Sequence, residues 1–298
     1  MSNISLIIEE RPRNIGNFMV GRLLPFTSKK MVGPFIFIDH MGPINMNDHQ
    51  NMDVPPHPHI GLSTLTYLLE GSVMHKDGLG TEIEIKPGQV NWMTAGSGIV
   101  HSERTPEYLR HSDKAMHGLQ IWVALPKDKE DITPSFFHAD ENTLPQWQEG
   151  ALTYKLVAGK FADKESPVPV YSPLYFLEIT SKEKQALSFG SLLYGEVGLY
   201  ILSGSIEAEG NTFQSKELLV AQDAKLCSFT INANTTVYLF GGEPFPEDRF
   251  IYWNFVSSSL EKIEAAKEKW KKQAFAPVPG ETEFVPLPQE AKGVKYKG

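Results

Sequence analysis

Two short residue pairs in this chain have the types and the spacing to do chemistry: His57-Pro58-His59 and, further along, His101-Ser102-Glu103. Each pair is spaced i, i+2, which on extended backbone points both side chains to one face. If the two strands look into the same interior, three imidazoles and one carboxylate meet at a point. That donor set suits Fe, Mn, Zn, Cu or Ni, and the lack of thiolates removes soft-metal and iron–sulfur sites. Three nitrogens and one oxygen fill four places of an octahedron and leave two adjacent places open for water, dioxygen or a chelating substrate. Zinc, mostly tetrahedral, would be saturated by the same ligands, so Fe(II) leads the expectation, with Mn, Ni and Cu behind it.

The surrounding residues are suited to holding such ligands. Pro55-Pro56 and Pro58 stiffen the backbone around the first pair and fix how it is presented. The run Thr94-Ala95-Gly96-Ser97-Gly98-Ile99-Val100 supplies a glycine-rich turn into the second pair, and its small residues leave room beside a metal. His40, His75 and His117 form a second tier that could orient ligands through hydrogen bonds, although a satisfied structural histidine is the commoner fate. His49, His111 and His138 lie in polar, loop-like sequence and are expected to face solvent. Trp92, Met93, Phe35 and Phe37 are candidates for an apolar pocket wall, with core packing the more ordinary role for each.

The elements that must position these residues read as strands. Short apolar or alternating runs are broken by Gly, Pro, Asn and Asp, the pattern of an all-β sandwich or barrel. Strands are expected at 34–39, 62–69, 82–85, 89–93, 118–124, 175–179, 198–202 and 236–240. The run Tyr67-Leu68-Leu69-Glu70-Gly71-Ser72-Val73 recurs as Tyr200-Ile201-Leu202-Ser203-Gly204-Ser205-Ile206, which suggests two copies of one β-domain in tandem. The expected domains are 1–140, carrying the metal site, and 141–298, with a connection from about 140 to 173. No histidine follows His138, so the second copy cannot repeat the ligand set. Near the end, 260–272 reads as an amphipathic helix with Ser259 as N-cap, stopped by Pro277, Pro279 and Gly280. Its Lys267–Lys272 run is expected to be a solvated helix face, and the apolar residues of 283–288 to pack back onto a domain.

Composition narrows the function. The 298-residue chain is 41% hydrophobic and 21% charged, ordinary for a globular protein with a sizeable core. A formal net charge of −8 with scattered Lys and Arg argues against direct nucleic-acid binding. No run approaches the roughly 20 apolar residues of a membrane span. The first residues lack a secretory-signal pattern, and the single cysteine, Cys227, read as a small buried hydrophobe, fits a reducing compartment. The expected location is the cytoplasm.

Together these residues resemble the pirin family of the cupin superfamily. The resemblance is carried by His57-Pro-His59-Ile-Gly61-Leu-Ser-Thr64-Leu-Thr66-Tyr67, Glu70-Gly71, His75, Asp77, Pro87-Gly88, Trp92-Met93, Ala95-Gly96-Ser97-Gly98-Ile99 and His101-Ser102-Glu103. Val32-Gly33-Pro34-Phe35 and Asp39-His40-Met41-Gly42-Pro43 extend it towards the start. It implies two tandem cupin-type β-barrel or jelly-roll domains, with His57, His59, His101 and Glu103 as iron ligands in the first and no metal in the second. The glutamate that cupins commonly place shortly after the HxH pair is absent here, because 60–69 holds no acid; Glu103 takes the carboxylate role. The resemblance also implies a metal-dependent dioxygenase acting with O2 on an aromatic small molecule, a flavonol such as quercetin or a similar chelating enol, with Glu103 as the catalytic base. Its alternative is a non-catalytic, iron- and redox-dependent regulator that binds a transcription factor or a metabolic enzyme. A storage or sugar-isomerase cupin is the third reading.

Overall fold

The computed structural model describes residues 4–15, 18–221 and 228–288; Cys227 lies outside them. The protein is mostly β, with one α-helix among the described residues. Every expected strand forms, several of them longer than the sequence suggested, as at Phe35–Met46, Leu62–Glu70 and Lys114–Ala124. No helix among the described residues is long and apolar enough to cross a membrane.

The chain packs into two compact units that interleave along the sequence. One unit comprises 1–12, 21–39 and 139–245, and the other 13–20, 40–138 and 246–298. The sequence reading drew a single boundary at 140/141; the packing switches at 12/13, 20/21, 39/40, 138/139 and 245/246. Apolar contacts give the reason. Phe35 packs against Phe176, tilted, and Phe240, edge-on, with ring centroids 5.9 and 5.0 Å away, which draws the 21–39 segment into the first unit. The helix Leu260–Lys271 buries Ile263, Ala266 and Trp270 against Ile60, Val100 and Phe255, so the C-terminal segment belongs with the histidines.

The first unit is a sandwich. Its larger sheet runs Ile4–Glu9, Glu217–Ala221, Glu196–Ser203, Thr235–Gly242, Leu174–Ser181, Leu152–Phe161 and Gln146–Glu149, with Lys164–Glu165 added beside Leu152–Phe161. Its smaller sheet runs Gln185–Ser188, Ser228–Ile231, Ser205–Ala208 and Asn211–Gln214. Alternation decides which side chains meet. Tyr175, Leu177 and Ile179 go to the core shared with Ile206, Phe213, Phe229 and Ile231, while Phe176 joins Tyr238 and Phe240 on the opposite face. Part of the segment expected to connect two domains is therefore strand, because Leu152, Tyr154 and Leu156 alternate into this core.

The second unit repeats the two-sheet plan. Its smaller sheet has the order Asp53–His59, Ile99–Arg104, Val73–Asp77 and Glu82–Ile85. Opposite it, Val90–Thr94, Leu62–Glu70 and Lys114–Ala124 are neighbours in the larger sheet. The repeated motif forms equivalent corners in the two units. Leu62–Glu70 turns into Val73–Asp77 through Gly71 at φ +82°, and Glu196–Ser203 turns into Ser205–Ala208 through Gly204 at φ +75°. Both values lie where an L side chain is strained.

The helix is capped as expected, with the Ser259 hydroxyl accepting the Lys262 N–H. Lys267 departs from the expected solvated face: only 7% exposed, it pairs with Glu264 and lies over the Tyr252 ring. Its aliphatic stem is buried while the ammonium finds partners. The tail packs back as expected, since Trp270 Nε1–H donates to the Val285 carbonyl and the Val285 N–H donates to the Pro56 carbonyl.

One substitution tests the corner geometry. A Cβ on Gly71 would lie 2.2 Å from the Ala115 carbonyl oxygen, in addition to the positive-φ penalty. Gly71→Ala is expected to destabilise the protein by about 2 kcal/mol or more, seen as a lower urea midpoint with an unchanged slope.

Candidate metal centre

Antiparallel pairing builds the site. Asp53–His59 lies beside Ile99–Arg104 with His101 opposite His57 and Ile99 opposite His59. On its other side, Ile99–Arg104 pairs with Val73–Asp77, placing Asp77 opposite His101 and His75 opposite Glu103. Directly paired residues share a face, so His57, His59, His75, Asp77, His101 and Glu103 all belong to the inner face of one small sheet. The outward residues of the same strand are held from behind. Val100 packs among Phe255, Trp270 and Phe275, and Ser102 and Arg104 both donate to the Glu281 carboxylate.

The structure brings three of the four expected ligands together. One ring nitrogen from each of His57, His59 and His101 lies within 4.8 Å of the others, and their ring centroids are 4.3 to 5.0 Å apart. All three rings are buried. The Pro55 carbonyl, 2.9 Å from His57 Nδ1, can only accept, so that nitrogen carries the proton and Nε2 is bare. His59 Nδ1 and His101 Nε2 are buried without any hydrogen-bond partner. Each such atom would cost about 1–3 kcal/mol if left alone. Buried nitrogens that converge without protein partners fit a metal ion.

Glu103 is buried nearby, but among the described residues its carboxylate is not one of this convergent group. The ladder shifts between His101 and Glu103, with Val54, not Pro55, opposite Glu103. Pro55 and Pro56 have no N–H to donate, and the pairing bulges where they sit. Beyond that bulge the Glu103 Oε1 lies 3.2 Å from the Thr66 hydroxyl, which is also 2.9 Å from Gln120 Oε1. One hydroxyl hydrogen cannot serve both oxygens, so the Gln120 amide is placed to turn its NH2 towards Thr66.

The larger sheet supplies the rest of the surroundings. Thr66 pairs with Gln120 and Thr64 with Trp122; the Trp122 ring meets His59 edge-on at 5.0 Å. Phe136 stacks on His75 at 4.5 Å. Sequence reasoning missed Thr66, Asp77, Gln120, Trp122 and Phe136 as neighbours of the site. Thr64 and Thr66 carried a signal: polar residues at period two inside an otherwise apolar strand, both buried.

The other candidates divide between the site and the rest of the structure. His75 does belong to the site, its Nδ1 3.4 Å from His101 Nδ1 and its Nε2 3.2 Å from Asp77 Oδ2. His40 and His117 contact each other, Nε2 to Nε2, at 2.9 Å. His49 and His111 are exposed as expected, whereas His138 is half-buried, 2.7 Å from Asn91 Oδ1. The apolar-wall candidates are core. Trp92 and Met93 are each 1% exposed, Phe35 belongs to the aromatic cluster of the other unit, and Phe37 lies beneath the Arg22 guanidinium.

Burial sets the protonation states. Desolvation pushes His57 down to about 4 and holds His59 and His101 well below the ordinary histidine range, with neighbouring imidazoles adding to the effect. Neutral imidazoles are the form that binds metal. Desolvation raises Glu103 despite the His75 and Thr66 contacts. Burial also works against the Asp77 charge, but hydrogen bonds from His75 and Thr81 outweigh it and lower the net value.

The sign of the resulting pH dependence follows from the unfolded chain, which takes up protons on these imidazoles below about 6.5 while the folded protein does not. Stability of the metal-free protein is therefore complete above pH 6.5 and falls as pH drops from 6.5 towards 4. The raised Glu103 opposes this slope, one carboxyl against three imidazoles. Urea titrations across this range in the presence of chelator are expected to show the fall. In His101→Leu the slope should be shallower by about 1.4 kcal/mol per pH unit, the value for one proton.

The comparisons with known proteins agree with this architecture. The family pattern described as Pirin matches residues 17–123, and that of the Pirin C-terminal cupin domain matches residues 176–276. A pirin-like protein of Caulobacter vibrioides is 46% identical over 292 residues, covering 96% of this chain and 100% of its own. A protein of Pseudomonas aeruginosa, provisionally named a quercetin 2,3-dioxygenase, is 37% identical over 257 residues, covering 86% of this chain and 80% of its own. The crystal structure of a quercetin 2,3-dioxygenase from Acinetobacter baumannii superimposes with a TM-score of 0.88 at 31% identity, covering 97% of each chain. A convergent buried histidine triad between the two sheets of one cupin unit, a second cupin unit without histidines, and these matches along nearly the whole length place the chain in the pirin family.

Proposed function

We propose that this protein is a metal-dependent dioxygenase of the quercetin 2,3-dioxygenase type, acting with O2 on a flavonol or a similar chelating enol. The observation that carries the reading is the buried convergence of His57, His59 and His101, with nitrogens that nothing in the protein satisfies. Relatives named for that activity support the same reading. Fe(II) is the metal that the donor set favours, with Mn, Ni, Cu and Zn behind it.

In this proposal His57, His59 and His101 hold the metal through neutral imidazoles, and Glu103 completes the ligand set from the neighbouring position. A bound metal would polarise and orient a chelating substrate. Glu103 has a second role. Buried, with a raised affinity for protons and held at one oxygen by Thr66, its carboxylate accepts the proton of a substrate hydroxyl. Trp122 and Phe136 flank the imidazoles and give the site apolar walls suited to an aromatic ring. Such a reaction needs no nucleic acid, membrane or protein partner.

Elemental analysis beside turnover tests the proposal. His101→Ala is expected to lose the bound metal, and an unchanged metal content would overturn the ligand assignment. Iron-loaded protein prepared without oxygen is expected to consume O2 with quercetin, and silence from the Fe, Mn, Ni and Cu forms alike would overturn the activity. Glu103→Gln is expected to lower kcat by about 10²–10⁴.

A further inference from the structure

We infer that Asp77, acting through His75, fixes which nitrogen of His101 carries the proton and so aims a bare Nε2 at the metal. The inference rests on the reading of His101 as a ligand and goes beyond it, because neither Asp77 nor His75 touches the metal position in that reading.

For a neutral His75, one arrangement of hydrogens satisfies the chain of contacts. Asp77 is fully buried, and its Oδ1 already accepts the backbone N–H groups of Leu79 and Thr81. Those bonds pin the carboxylate and leave Oδ2 facing His75 Nε2 at 3.2 Å. A carboxylate in this setting accepts, so His75 carries its hydrogen on Nε2. A neutral His75 then has a bare Nδ1, which lies 3.4 Å from His101 Nδ1. That contact is a hydrogen bond only if His101 donates from Nδ1. His101 Nε2 is then left with its lone pair, and it is the nitrogen with no protein partner. Stacking on Phe136 holds the His75 ring in the plane this requires. One carboxylate thus sets the tautomer of two imidazoles in series. Contacts that orient a ligand imidazole in this way change metal affinity by about 10–100-fold when removed.

Asp77 and His75 are positioning residues, and Asp77→Asn is the test. An Asn that keeps accepting from Leu79 and Thr81 turns its NH2 to His75 Nε2. His75 must then carry its hydrogen on Nδ1, and His101 on Nε2. In metal-free protein with ¹⁵N-labelled histidine, NMR is expected to show His101 as the Nδ1–H tautomer in the wild type and as Nε2–H in Asp77→Asn. Competition with a chelator is expected to show a 10–100-fold loss of Co(II) affinity in that variant, together with a changed ligand-field spectrum. His75→Gln, whose amide can accept from His101 and donate to Asp77, should keep the Nδ1–H tautomer and most of the affinity; His75→Leu should lose both. Should Asp77→Asn fail to fold, the Gln and Leu variants carry the test alone. An unchanged His101 tautomer in Asp77→Asn, or equal behaviour of the Gln and Leu variants, overturns the inference. Full Co(II) binding by His101→Ala would instead overturn the ligand assignment beneath it, so the two failures are distinguishable.

Discussion

The pairing of Asp53–His59 with Ile99–Arg104 is the constraint on which the site depends. Placing His101 opposite His57 and Ile99 opposite His59 brings three imidazoles to one spot without any loop having to fold over them. A slip of one residue would turn the facing side chains to the opposite side of the sheet. The register is therefore held from both sides. Inside, the histidine face meets Thr66 and Trp122 of the larger sheet. Outside, Val100, Ser102 and Arg104 are clamped by the helix and the segment after it. The C-terminal helix, far from the ligands in sequence, thus backs the strand that carries one of them.

The same register carries a cost. Burying imidazoles with unsatisfied nitrogens works against stability in the metal-free protein, and desolvation keeps those imidazoles neutral. A ligand that supplies the missing interactions relieves the conflict, and the neutral imidazoles are already in the form such a ligand needs. Local rules are broken here in the way expected of a functional site. Leu62–Glu70 shows the same tension on a smaller scale, with Thr64 and Thr66 buried between Leu62, Leu65 and Leu68.

The two units share a plan but differ inside. Gly71 and Gly204 turn equivalent corners. In the unit without histidines the space between the sheets is filled by Tyr175, Leu177, Phe213, Phe229 and their neighbours. One interior is packed with apolar side chains and the other lined with titratable ones. Similar backbone geometry therefore says little about chemistry, and the chemistry belongs to the residues grafted onto it.

The sequence by itself determined the fold class, the eight strands it marked out, the repeated motif, the helix with its cap, and the identity of the convergent histidines. These are local properties: period-two alternation, glycine where φ is positive, and i, i+2 spacing on extended backbone. The tertiary structure decided what depends on partners distant in the chain. Phe35 found Phe176 and Phe240, the helix covered Val100, and the chain divided at several places where the sequence reading drew one boundary. Spacing alone put Glu103 beside His101; the structure gives its carboxylate a Thr66 contact and leaves it outside the convergent group of nitrogens. The link from Asp77 through His75 to His101 could not be read from any spacing, because it arises from cross-strand register and from the direction in which each buried group can donate.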